Sequence, residues 1–224
     1  MYNKVVMCMK KLDIIYEDKE LIVVNKSAKK LTIATNKGEL NTLYHEVYEY
    51  VHKKNKRNRI FIVHRLDKDT SGVVLFSKNE KLKYLLQDNW NDITKRSYLA
   101  IVEGIVKDKG TVKSYLKETK TLLTYSSNKK DGKLAITEYE PISYHNKNTL
   151  LKINIKTGRK NQIRVHMKDI GHPIIGDKKY GSKKDLYKRM TLHAYELELI
   201  HPITKKKMVF TAKIPNCFNE FKKI

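Results

Sequence analysis

Short apolar runs broken by charged segments set the rhythm of this chain. Asp13-Ile14-Ile15-Tyr16 and Leu21-Ile22-Val23-Val24 are β-rich, and Glu17-Asp18-Lys19-Glu20 between them predicts a hairpin. From Leu43 the period changes: Leu43, Val47, Tyr50 and Val51 fall at helical spacing, with Asn41 or Thr42 as N-cap. That helix runs out into Lys53-Lys54-Asn55-Lys56-Arg57-Asn58-Arg59, which reads equally well as a solvated linker or as a phosphate contact. Ile60 to Val63 and Val73 to Phe76 are strand-like and flank the polar stretch His64 to Gly72. Asn79 caps a predicted helix from Glu80 to Trp90 whose apolar stripe is Leu82, Leu85 and Leu86. Trp90 is read as packing rather than as a platform for a base.

In the second half, Lys95 to Val102 reads as a strand with a basic entrance, and Tyr98, Ala100 and Val102 share one face. Thr111 to Lys113, Leu122 to Tyr125, Ala135 to Tyr139 and Leu150 to Ile155 predict an antiparallel meander. The polar insert from Ser126 to Lys133 turns at Asp131-Gly132. Thr157 to Gln162 opens a helix with Ile163, Met167 and Ile170 inward, and Gly171 closes it. Leu192 to Leu199 alternates as a strand, His201-Pro202 turns, Met208 to Ala212 follows, and a short helix is expected around Phe218 to Phe221. Strands outnumber helices and no βαβ alternation appears. The expected fold is one α+β domain on a mixed, mostly antiparallel sheet flanked by helices and loops.

Charge sharpens the picture. Lys and Arg number 47 against 24 Asp and Glu, a net +23, which points to a polyanionic partner. Nucleic acid is the first candidate and an anionic membrane surface the second. No apolar run approaches the length of a membrane span, and the N-terminus lacks the features of a secretory signal. The two cysteines, Cys8 and Cys217, have no paired spacing, so disulfide scaffolding and a zinc ribbon are not expected and a cytoplasmic setting is. The histidines never fall in a metal-ligating pair on one helix face. No phosphate-cradling glycine loop is present, and Ser71 lacks the glycine of a nucleophile elbow.

What remains is a carboxylate site. Asp67 lies in the polar loop with Asp69 beside it, Tyr98 on a strand, and Arg159 and Arg164 at the start of a helix. A fixed carboxylate can act as nucleophile or base on a sugar, and guanidiniums at a helix start would hold phosphate or keep that carboxylate ionised. On local chemistry alone, a charged hairpin turn accounts for the loop as well.

The residues also resemble a family. His64-Arg65-Leu66-Asp67 followed by Thr70-Ser71-Gly72 looks like the signature of the RluA branch of RNA pseudouridine synthases. Tyr16-Glu17-Asp18 through Val23-Val24-Asn25-Lys26 is similar to the family's opening hairpin, and Lys95 with Tyr98, Ala100, Glu103 and Gly104 to its tyrosine motif. Thr157-Gly158-Arg159, Gln162 to His166, Gly171 to Ile174, Gly176-Asp177 and Tyr180-Gly181 resemble its third motif and the turns after it, and Leu192-His193-Ala194 with His201-Pro202 complete the likeness. Departures are modest: Lys26-Ser27-Ala28 stands where Lys-Pro-Ala is usual, Lys29-Lys30 where a glycine turn is, and Asn161 where a His is common.

The resemblance implies a pseudouridine synthase catalytic domain over residues 11–224, a short extension over 1–10, and no separate N-terminal RNA-binding module. It implies uridine isomerisation in ribosomal or transfer RNA without metal or organic cofactor, by a monomer with no obligate protein partner. It makes Asp67 the catalytic carboxylate, Tyr98 the residue against the target base, and Arg164 the partner that holds Asp67 ionised. Arg65, Lys95, Arg96, Arg159 and Lys160 are the expected RNA contacts, with Arg65 filling the space a flipped uridine leaves and Asp69 structural. The rival from another class is a catalytically silent RNA-binding or ribosome-assembly factor; a metal-dependent nuclease is a distant third.

Overall fold

The computed structural model describes residues 12–34, 41–127 and 131–221. The expected extension over 1–10, with Cys8, lies outside them, as does the centre of the Ser126 to Lys133 insert. The predicted hairpin forms: β1 (Ile14–Glu17) pairs antiparallel with β2 (Leu21–Lys26). Asp18 shapes its turn by accepting from the backbone N–H of Glu20 and Leu21 at 2.7 and 2.6 Å. Helix α1 (Leu43–Lys54) starts where Thr42 Oγ1 accepts the N–H of His45, and its Leu43, Val47 and Val51 are buried. The short β3 (Phe61–Ile62) and the fully buried β4 (Ser71–Ser77) bracket the polar loop. Asn79 caps α2 (Glu80–Asp88), which ends earlier than expected, and a single turn, α3 (Trp90–Ile93), follows. Leu82 and Leu86 face inward, whereas Leu85 is exposed.

The meander is longer than its apolar runs suggest. It comprises β5 (Thr94–Glu103), β6 (Gly110–Glu118), β7 (Thr124–Ser127), β8 (Lys133–His145) and β9 (Asn148–Ile155). Strand ladders extend past the apolar residues because each backbone group needs a partner even where side chains are solvated. Helix α4 (Gln162–Asp169) begins only at Gln162, after a turn, and β10 (Leu192–Ile200) and β11 (Lys207–Thr211) close the chain. The expected C-terminal helix is one 3-10 turn at Asn216–Phe218.

Among the described residues all the strands join one sheet in the order β1-β2-β4-β10-β5-β9-β8-β6-β7, with β11 on β10 and β3 on β4. Only β4 and β10 run parallel, so the sheet is mixed and mostly antiparallel as expected. Apolar clusters cover both faces of its first half: Leu21, Val23, Leu75, Leu82 and Phe210 on one, Ile22, Val24, Val47, Phe76 and Leu66 on the other. A third cluster of Leu151, Ile153, Ile163, Met167 and Leu192 seats α4 on the second half. The halves meet where Ser71 and Gly72 pair with His193 and Ala194. Gly72 is obligatory there, since its φ is +117° and a Cβ would lie 2.1 Å from the Ala194 carbonyl oxygen. The loop preceding β4 is thereby delivered to the seam.

Candidate active site

That loop is tied from both sides. Thr32 Oγ1 donates to the Leu66 carbonyl at 2.8 Å and accepts the Leu66 N–H at 3.2 Å. Lys26 is wholly buried, and its ammonium donates to the carbonyls of Ser27, Lys30 and Lys68 at 3.0, 2.7 and 3.0 Å. His64 accepts the Leu75 N–H at 3.0 Å and stacks on Trp90 with ring centroids 4.7 Å apart. Burial, with Arg96 adding to it, holds His64 down at about 3, so it is a neutral packing group. Trp90 packs in the core as expected.

Asp67 is thus presented at the floor of a cleft lined also by Arg65, Tyr98, Gly158, Arg159 and Arg164. Its carboxylate lies 3.7 Å from Arg164 Nη1, its side chain 30% exposed. Burial pushes its pKa above the ordinary value, and Arg164, Arg65 and Lys26 only partly oppose this. Tyr98 follows from β5; burial raises its phenol to about 12, against a counter-pull from Arg96. It is therefore a neutral ring and hydroxyl at physiological pH.

Arg164 is placed by α4, but its strongest partner is not Asp67. Its Nε and Nη2 donate to the two carboxylate oxygens of Asp177 at 2.7 and 2.8 Å, Nη1 donates to Asn161 Oδ1 at 2.7 Å, and the guanidinium lies over Tyr180 at 4.7 Å. The expected pairing of Arg164 with Asp67 is present and pulls the carboxyl's pKa down, but burial outweighs that pull. The bidentate pair to Asp177 aims the guanidinium, and its remaining edge faces Asp67. Gln162 fixes the start of the helix, accepting from Thr157 Oγ1 and Arg159 N and donating to Ile136 O and Thr137 Oγ1.

The expected RNA contacts divide. Arg65 and Arg159 are exposed at the cleft, and Arg159 Nε donates to the Leu134 carbonyl at 3.0 Å. Lys160 is exposed and paired with Glu118, while Lys95 lies at the outer end of β5 in an ion pair with Glu198 at 3.3 Å. Arg96 contradicts its reading as an RNA contact. It is 7% exposed and points inward, with Nη2 donating to Asn91 Oδ1, Ile155 O and Lys156 O at 2.8, 3.4 and 3.1 Å. Alternation on the strand turns Arg96 to one face and Lys95 to the other.

Asp177, Asn161 and Lys26 were not singled out as site residues. Lys26 left a signal in the sequence, a lysine closing a run of buried apolar residues. Asp177 left a weaker one, an Asp in a turn after the arginine helix. Among the described residues no group of His, Cys, Asp or Glu is placed to hold a metal ion, and no helix is long and apolar enough to cross a membrane.

Residues 20–169 match the family model for RNA pseudouridylate synthase. The chain belongs to that family. It is 33% identical over 208 residues to the uncharacterized RNA pseudouridine synthase YhcT of Bacillus subtilis, an alignment covering 91% of this chain and 69% of that protein. It is 35% identical over 225 residues to the ribosomal large subunit pseudouridine synthase D of Haemophilus influenzae, covering 93% and 69%. Human RNA pseudouridylate synthase domain containing 4 shares the fold with a TM-score of 0.78 at 21% identity, over 93% of this chain and 90% of that one. As a member of the family the chain is an RNA pseudouridine synthase, an isomerase acting on uridine in RNA.

Proposed function

We propose that Asp67 is the catalytic carboxylate of this synthase and that the target uridine lies in a structured RNA, ribosomal or transfer. The convergence of Asp67, Tyr98 and Arg164 from three separate segments on one cleft supports this reading. The bond between uracil N1 and ribose C1′ breaks, the base turns, C5 bonds to C1′, and the C5 proton leaves to solvent. Asp67 either attacks C1′ or takes the ribose 2′ proton to give a glycal. Its raised pKa makes it more basic than a solvated carboxylate, which suits both roles.

Tyr98 packs against the extruded base. Because its phenol stays protonated up to about 12, Tyr98 accepts the C5 proton only as it releases its own hydroxyl proton towards solvent, never as a standing phenolate. Arg164, braced by Asp177, keeps Asp67 aimed. Arg65 enters the stack in place of the uridine, whose extrusion costs a few kcal/mol. Arg159 and Lys160 hold phosphate near the cleft and Lys95 further out. The name of the Haemophilus influenzae relative favours large-subunit ribosomal RNA as the substrate. A cytoplasmic monomer, working without metal, organic cofactor or obligate protein partner, fits this chemistry.

RNA labelled with tritium at uracil C5 tests the assignment. Wild type releases the label in the presence of chelator, whereas Asp67→Ala binds the RNA equally well and releases none. Equal release from both proteins removes Asp67 from the reaction.

A further inference from the structure

The topology gathers basic turns at the end of the sheet away from the Asp67 loop. Leu21 and Phe61 both pair with Ser77, the last residue of β4, so the β1–β2 turn and the segment before β3 lie at that end. Strand β10 runs parallel to β4, which sends the β10–β11 turn the same way. Ion pairs bind the three turns together. Lys54 and Lys78 both pair with Glu17, at 2.9 and 2.7 Å, and His201 meets Glu20 at 3.6 Å.

On this frame Lys19, Lys56, Arg57, Arg59, Lys205 and Lys206 are all exposed, and among the described residues none has a carboxylate partner. The loop that carries Arg57 and Arg59 is itself ordered: Asn55 Oδ1 accepts the Arg57 N–H at 2.9 Å and Asn58 N–H reaches Asn55 O at 2.9 Å. Of the acids there, Glu17 is engaged by two lysines and Tyr50 and Asp18 by the turn backbone, which leaves Glu80, beside Arg57 and Arg59, as the one exposed carboxylate among the described residues of the pocket they line. Among the described residues, six presented cations against one unpaired carboxylate leave a positive surplus that attracts an external anion.

We infer that this far end of the sheet is a second RNA-binding surface, which takes the phosphate backbone of a double-helical segment of the substrate at a distance from the target uridine. The inference rests on the proposed function for what the cleft holds. Strand β4, Ser71–Ser77, separates the two places by about 20 Å at roughly 3.3 Å per residue. A flipped nucleotide and its flanking phosphates do not reach that far. The turns present no exposed aromatic ring, since His201 is buried and Phe61 half-buried, and single-strand sites rely on stacking, so charge fits a duplex backbone.

The test uses the whole chain and a fluorescein-labelled RNA duplex of about 20 base pairs, longer than the ~16 a double-stranded-RNA module covers. Binding is followed by anisotropy across a salt titration. One variant combines K19Q, R57Q, R59Q, K205Q and K206Q. A charge-matched control combines K107Q, K109Q, K113Q, K183Q and K188Q, and a charge-keeping R57K/R59K variant guards against a folding defect.

The far-end variant loses more than tenfold in duplex affinity and its salt slope falls by about 3 to 5, at ~0.9 per phosphate contact. The control loses less than threefold, and R57K/R59K binds as wild type. Equal losses in both charge-neutralised proteins, or an equal loss for an unstructured single strand, overturn the inference. Tritium release by wild type is measured in parallel: its absence would fault the catalytic reading while leaving the binding comparison intact.

Discussion

Asp67 is held against the preference of its own charge. Burial raises its pKa above the ordinary 3.8, so the folded chain grips this proton more tightly than the unfolded chain does. The stability from protonated Asp67 is fully present below the unfolded value and is lost as pH rises through the folded one. At neutral pH the ionised carboxylate therefore costs stability. Asp67→Asn abolishes activity yet melts higher than wild type at pH 7, by about 2–4 °C for each kcal/mol relieved, and the difference closes as the pH falls toward 4. An Asp67→Asn protein melting lower at pH 7 contradicts this. The acid limb of the wild-type rate profile lies above 3.8, and no ionisation of Tyr98 appears between pH 7 and 10.

Arg96 makes a separate case. Among the described residues its Nε has no hydrogen-bond partner, its Nη2 gathers the Ile155 and Lys156 carbonyls, and a Cβ at Gly158 would lie 3.1 Å from its Nη1. It clamps the turn that leads into α4 onto the strand bearing Tyr98. Arg96→Gln is expected to lower kcat about tenfold to a hundredfold through misplacement of the site, with KM for RNA little changed. A raised KM at constant kcat would return Arg96 to the RNA contacts.

The elements that aim Arg164 explain why the site was only partly legible. Asp67 and Tyr98 stood out because each lies in a local pattern: a polar loop between two apolar runs, and an alternating strand. Arg164 stood out through the helix it opens. Its brace did not, because Asp177 follows the end of α4 in a turn whose sequence signals only turning. Long-range pairing also defeated the reading of Arg96, since the carbonyls it satisfies lie nearly sixty residues away. Strand lengths were underestimated for the same reason: ladder partners, not apolar residues, set where β6 and β8 end. The α+β class and mixed sheet were legible because hydrophobic period is local.

Asp177→Asn tests the brace. It leaves the buried guanidinium without its charge-assisted bidentate partner, at a cost of about 3 kcal/mol or more in stability. With Asp177 no longer raising it and Arg164 free to turn, the pKa of Asp67 falls, and the acid limb of the rate profile moves to lower pH while kcat drops. An acid limb that stays in place or moves up contradicts this geometry.

Across the whole chain, charge and chemistry reside in different residues. The surplus of +23 far exceeds the charge of the reacting cleft, which holds Arg65, Asp67, Arg159 and Arg164, with Asp67 and Arg164 held by their neighbours. Affinity for RNA should then respond steeply to salt, with log K falling by about 0.7–0.9 per log unit of salt for each phosphate contact. The step at Asp67 should not respond, because groups screened by burial feel the ionic atmosphere weakly. Single-turnover tritium release at saturating enzyme is expected to be constant between about 50 and 200 mM monovalent salt, while the enzyme concentration needed for saturation rises by orders of magnitude. A turnover rate that fell in step with affinity would mean that surface contacts help build the reactive geometry. Binding at the surface and reaction in the cleft would then no longer be separable.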